Sequence, residues 1–164
     1  MVGKEMYMTS AKNIYLLLAR DVSTDSNDKM NSITKIIDRF NIDANKGDLK
    51  KQNLIWGESI IVIPASYAIA SLWTLSEKIK NESVVKIRLS IIDPSGKNLG
   101  GPVQSLKLPA GKDRVSLNFN SQGMPITKEG KYFIKAQLEI SDKVIGTAEY
   151  PYEVEVKWLQ DAGK

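Results

Sequence analysis

Apolar residues recur at every second position through the second half of the chain. Val85, Ile87, Leu89 and Ile91 alternate with Lys86, Arg88 and Ser90, the spacing that turns one side of a strand to a core and the other to water. Asp93-Pro94-Ser95-Gly96-Lys97 follows as turn chemistry, with proline fixing φ and glycine free to take positive φ. A weaker strand is predicted from Asn98 to Leu108, and Gly100-Gly101-Pro102 within it marks a bulge or an edge. After the turn at Pro109 to Lys112, Val115, Leu117 and Phe119 alternate with Arg114, Ser116 and Asn118. Residues 120–130 read as a loop. Tyr132, Ile134, Ala136, Leu138 and Ile140 then face inward while Lys135, Gln137 and Glu139 face out. A turn at Ser141-Asp142-Lys143 makes a hairpin with the last strand, where Tyr152, Val154, Val156 and Trp158 point inward. Pro151 cannot donate to a ladder, so it predicts an edge or a bulge at that point.

The first half is patterned differently. Asn13 to Arg20 is a continuous apolar run of strand length, the signature of burial on both faces. Ser59 to Ile63 and Tyr67 to Leu75 read as two strand pieces broken by Pro64 and rich in β-branched and aromatic residues. Met30, Ile33, Ile36 or Ile37, and Phe40 fall at helical spacing, so periodicity alone puts a helix over Asn31 to Asn41. Ile33, Thr34, Ile36 and Ile37 are β-branched and favour a strand instead, and a strand is the reading adopted. The segment from Asp43 to Glu58 is polar and reads as a long loop or insertion that Trp56 anchors to the core.

Seven to nine short strands separated by turns define an all-β chain, an antiparallel sandwich of immunoglobulin-like architecture with room for one short helix in the first half. Its 164 residues fit a single domain over 12–158, with 1–11 and 159–164 as flexible ends and 43–58 as the polar excursion. The Cys-Trp-Cys pattern of true immunoglobulin domains is missing.

Three stretches resemble a family of small, uncharacterised bacterial and phage-associated β-sandwich proteins. They are Leu17 to Val22 with the following Ile33 to Ile42 segment, Leu89-Ser90-Ile91-Ile92-Asp93-Pro94-Ser95-Gly96-Lys97, and Glu129-Gly130-Lys131-Tyr132-Phe133-Ile134. The stretch from Lys46 to Gly57 is longer than that pattern. The resemblance implies the sandwich fold and carries no catalytic residues.

Composition narrows the chemistry. The chain has no cysteine and no histidine, which excludes for it Cys-His and Ser-His-Asp mechanisms, thiolate chemistry and imidazole metal ligands. Its 23 basic and 19 acidic residues leave a net charge of +4, and the densest basic cluster, Lys50-Lys51 with Lys46 nearby, falls short of a nucleic-acid stripe, so no nucleic acid is expected. The run from Ile14 to Ala19 is too short and too late for a signal peptide, and Ile60 to Leu75 is interrupted by Pro64, Ser66 and Ser71, so no membrane span is expected and the cytoplasm is the default.

The remaining candidates are surface features. Asp21, Asp25 and Asp28, with Ser23, Ser26 and Asn27, crowd oxygen ligands into one loop in the manner of a Ca²⁺ site, though the spacing matches no EF-hand. Glu149, Glu153, Glu155 and Asp93 are the carboxylates from which a glycoside hydrolase pair would be drawn. Ser32-Ile33-Thr34-Lys35 has the spacing of a Ser-Lys dyad without its companion motifs. Phe133, on the outward parity of its strand, heads the aromatics open to a partner, followed by Tyr15, Trp56, Trp73 and Tyr150.

The leading expectation is a non-enzymatic structural or protein-interaction module that self-associates or engages a protein partner. Its interaction surface is expected around Phe133, Trp56, Lys50 and Lys51, without a cofactor. A Ca²⁺- or carbohydrate-binding sandwich is the alternative, and a carboxylate-based hydrolase the third.

Overall fold

The computed structural model describes residues 9–24 and 31–160. They form β1 (Ala11–Thr24), β2 (Asn31–Ile36), β3 (Arg39–Ala44), α1 (Lys46–Lys51), β4 (Ile61–Leu75), β5 (Ser83–Ile92), β6 (Val103–Leu108), β7 (Arg114–Ile126), β8 (Gly130–Ile140) and β9 (Lys143–Trp158). The strands make two sheets, one ordered β2-β1-β4-β7 and the other β3-β9-β8-β5-β6. Pairing is antiparallel throughout except between β3 and β9, which run parallel.

The two sheets bury their facing sides against each other. Leu18, Ile69, Trp73, Val115, Met124 and Ile126 from the first meet Val85, Ile87, Tyr132, Ile134, Leu138 and Tyr152 from the second, each at most 2% exposed. Side chains of this size contribute about 1.5–3 kcal/mol apiece when fully buried. The alternation in β5 and β8 therefore stands as read. Glu139 keeps its outward parity but is covered, and its carboxylate accepts from Arg88 Nε at 3.2 Å.

Two hydrogen-bonded turns lock one end of the sandwich. The Tyr132 hydroxyl donates to the Lys128 carbonyl at 2.6 Å and accepts from the backbone N–H groups of Thr127 and Lys128. A tyrosine reaching back a few residues at a strand-to-strand corner is a hallmark of immunoglobulin-like sandwiches. Thr127 Oγ1 in turn donates to Asp93 Oδ2 at 2.7 Å, while Asp93 Oδ1 accepts from Ser95 N, Ser95 Oγ and Lys97 N. Burial pushes the Asp93 carboxyl up, and these hydrogen bonds together outweigh it and hold the group at about 2.

Several expectations are corrected. Residues 31–41 contain no helix, and no single strand either: β2 pairs with β1 in one sheet, and after Ile37 and Asp38 the chain enters the other sheet as β3 beside β9. Ile37 N donates to the Leu18 carbonyl and Glu153 N to the Asp38 carbonyl, one bond to each sheet. The helical spacing of Ile37 and Phe40, both buried, comes from this change of sheet. Residues 120–126 belong to β7, which continues along β4 in spite of its polar sequence. Pro64 does not divide β4, because a register shift between Pro64 and Tyr67 absorbs it opposite Gly123.

Pro151 lies on β9 two residues before β3 joins at Glu153, so its missing N–H faces a stretch that β3 does not pair. The weaker strand is confined to Val103–Leu108 at the sheet edge. Ahead of β1, Thr9 Oγ1 donates to Glu77 and Ser10 exchanges hydrogen bonds with Ser76. No helix among the described residues is long and apolar enough to cross a membrane.

Candidate functional site

The polar excursion at 43–58 builds a groove against the end of β9. β3 and β9 run parallel and end together, with Ala44 opposite Trp158. The chain leaving β3 therefore starts its next element beside the end of β9. Asn45 caps that element, its side-chain oxygen accepting from Gly47 N at 2.7 Å.

The short helix α1 closes with a Schellman motif. Asn53 N donates to the Lys50 carbonyl and Leu54 N to the Leu49 carbonyl at 2.9 Å, with Asn53 at φ 54°. Asparagine tolerates that left-handed conformation better than other residues with a side chain. The motif brings Leu49 and Leu54 to the same side, and both line the groove.

The groove encloses about 770 Å³. Lys46, Leu49 and Lys50 of α1 form one wall, Asn53 to Trp56 continue it, and Glu129 and Trp158 supply the rest. Lys46 and Lys50 are four residues apart and so share a helix face, whereas the Lys51 ammonium turns to Asp48 at 3.2 Å. Trp56 and Trp158 meet edge to face with ring centroids 5.0 Å apart, and the Lys46 ammonium stands 5.4 Å from the centre of the Trp158 ring. Gly57 N donates to the Thr127 carbonyl at 2.8 Å, tying the loop that carries Trp56 to the locked corner. Thus Asp93, Thr127 and Tyr132 position the groove without lining it.

The predicted surface residues are only partly gathered. Trp56 and Lys50 share the groove, and Lys51 stands on the same helix outside it. Phe133 lies elsewhere, half-buried on β8 between Ile92 and Pro151 with the Lys131 ammonium 5.4 Å from its ring. Trp73 is fully buried, and the Tyr150 hydroxyl donates to the Ile37 carbonyl.

Asp21 is on β1 opposite Thr34, while Asp25 and Asp28 lie outside the described residues. Among the described residues no three acidic side chains group in a way that could hold a metal ion. Glu149 pairs with Lys135 at 3.0 Å, Glu155 with Arg39 at 2.8 Å, and Asp93 is held in its turn, so these carboxylates are engaged separately. Ser32 and Lys35 stand on β2 and not on a helix.

Sequence reasoning missed Leu49, Leu54, Ile55 and Glu129 as groove residues and took Trp158 as a core position. The asparagines at 45 and 53, spaced to cap a short helix, were the available signal.

No family model matches the chain, and no curated protein matches it. Among solved structures, an immunoglobulin-like protein from Pseudomonas aeruginosa aligns over 90% of this chain and 97% of its own, at 9% identity and a TM-score of 0.36. A calcium-binding mutant of Bacteroides uniformis β-glucuronidase 2 aligns over 57% of this chain, at 12% identity and a TM-score of 0.44. A β-glucosidase from Listeria innocua aligns over 93%, at 10% identity and a TM-score of 0.43. This chain spans 13% and 16% of those two glycosidases.

Proposed function

We propose that this protein is a non-enzymatic interaction module that engages a protein partner through the groove between α1 and the end of β9. The carrying observation is the pair of half-buried tryptophans, Trp56 and Trp158, set beside an exposed Ile55 in one concavity. Aromatic anchors surrounded by aliphatic side chains are where protein interfaces concentrate their binding energy.

A sugar site is disfavoured by the same geometry. Sugars stack on open ring faces, and here the Lys46 ammonium stands over the Trp158 ring. A cytoplasmic setting without a bound cofactor belongs to this reading, in keeping with a chain that has neither cysteine nor histidine.

Affinity capture with the wild-type chain and with Trp158→Ala, followed by reconstitution from purified components, tests the proposal. A protein that binds the wild type directly and loses affinity on the substitution supports it. Identical capture by both chains removes the groove from the function.

A further inference from the structure

Building on that reading, we propose that the groove selects a short protein segment that is both acidic and apolar, its carboxylates meeting Lys46 and Lys50 and its apolar side chain resting on Leu54 and Trp56. The argument begins with charge. Lys46 and Lys50 stand on one helix face at a spacing where like charges repel, and neither ammonium has a carboxylate within ion-pair distance among the described residues. A ligand carboxylate relieves that repulsion. Both lysines are exposed, so each pair is worth little alone and the neighbouring apolar contacts add the rest.

Position supports the same occupant. The Lys46 ammonium is already held over the Trp158 ring, so a carboxylate reaching it arrives next to the aromatic floor. Glu129 on the remaining wall gives the groove a polarity, with cations along α1 and an anion at the β7–β8 corner. A basic segment would meet two like charges along the helix. A nucleic acid would satisfy the lysines but needs ring faces for its bases, its phosphates would meet Glu129, and the Lys46 ammonium stands over the Trp158 ring.

A display library of random short peptides, selected on the wild-type chain and counter-selected on Ile55→Asp, is the test. Ile55 is 57% exposed, so its replacement leaves the fold intact, which a thermal melt verifies. The expected result is enrichment of peptides that combine Asp or Glu with an aromatic or aliphatic residue. Lys46→Glu with Lys50→Glu should then weaken an enriched peptide about tenfold, as two partly screened ion pairs imply, and Glu129→Gln should tighten it. Enrichment of apolar peptides indifferent to both charge changes overturns the acidic selection while leaving the groove as the docking site. No enrichment over Ile55→Asp overturns both readings. Oligothymidine bound as tightly as the best peptide, and lost on the lysine replacements, also overturns the proposal.

Discussion

Replacing Asp93 by Asn removes one charge from a turn that four hydrogen bonds converge on. Three reach Oδ1, from Ser95 N at 2.8 Å, Ser95 Oγ at 2.6 Å and Lys97 N at 2.9 Å, and the fourth runs from Thr127 Oγ1 to Oδ2 at 2.7 Å. Asparagine can still accept at one oxygen, but without charge assistance, and its amide now presents a donor to Thr127. Asp93 in the folded protein sits at about 2, against 3.8 for a free side chain, a difference that corresponds to about 2 kcal/mol.

The sign of the pH effect follows from that depression. The carboxylate contributes its full stability above about pH 4 and loses it as the pH falls towards 2. Asp93→Asn should therefore cost about 2 kcal/mol at pH 7, equivalent to about 6 °C in melting temperature for a chain of this size. Urea unfolding of both proteins at intervals from pH 7 to pH 2 provides the assay, because the other carboxylates titrate in both chains and cancel in the difference. The gap should be constant at higher pH and close between pH 4 and pH 2. A gap that is absent at pH 7, or that persists unchanged at pH 2, would refute the account of the turn.

Two further substitutions probe the frame around the groove. Tyr132→Phe keeps the buried ring but leaves the backbone N–H groups of Thr127 and Lys128 without the hydroxyl, and should cost about 1–3 kcal/mol in chemical denaturation. An unchanged unfolding midpoint would remove the corner from the fold's stability. Gly101→Ala places a Cβ 2.3 Å from the Leu89 carbonyl oxygen, a clash with backbone that no rotamer relieves. It should dislodge β6 from β5 and raise amide hydrogen exchange at Leu89 and Ile91, whose N–H groups donate to Pro102 and Gly100.

What the sequence revealed depended on how local the cause of each element was. β5 and β8 alternate because each packs one face on the opposite sheet, so their pattern carries the whole explanation. β7 beyond Phe119 is held by its register with β4, and a run such as Asn118-Phe119-Asn120-Ser121-Gln122-Gly123 carries no sign of it. Residues 31–44 misled in a more instructive way. Their apolar spacing is set by two different sheets in succession, and no single period describes a chain that changes partner at Ile37 and Asp38. The groove was half legible: Trp56 and Lys50 stood out as residue types, whereas Trp158 joins them only through the parallel pairing of β3 with β9.

That parallel pairing also sets when the groove can be completed during synthesis. α1 and Trp56 leave the ribosome early, but the other tryptophan of the groove follows 102 residues later, at position 158. At about 5–20 residues per second the nascent chain spends roughly 5–20 s with α1 and Trp56 made and no floor beneath them. Throughout that interval β3 has an open side where β9 will lie. On the function proposed above, a partner recognising the finished groove could not capture the chain before β9 arrives, and synthesis itself would delay the encounter until the sandwich can close.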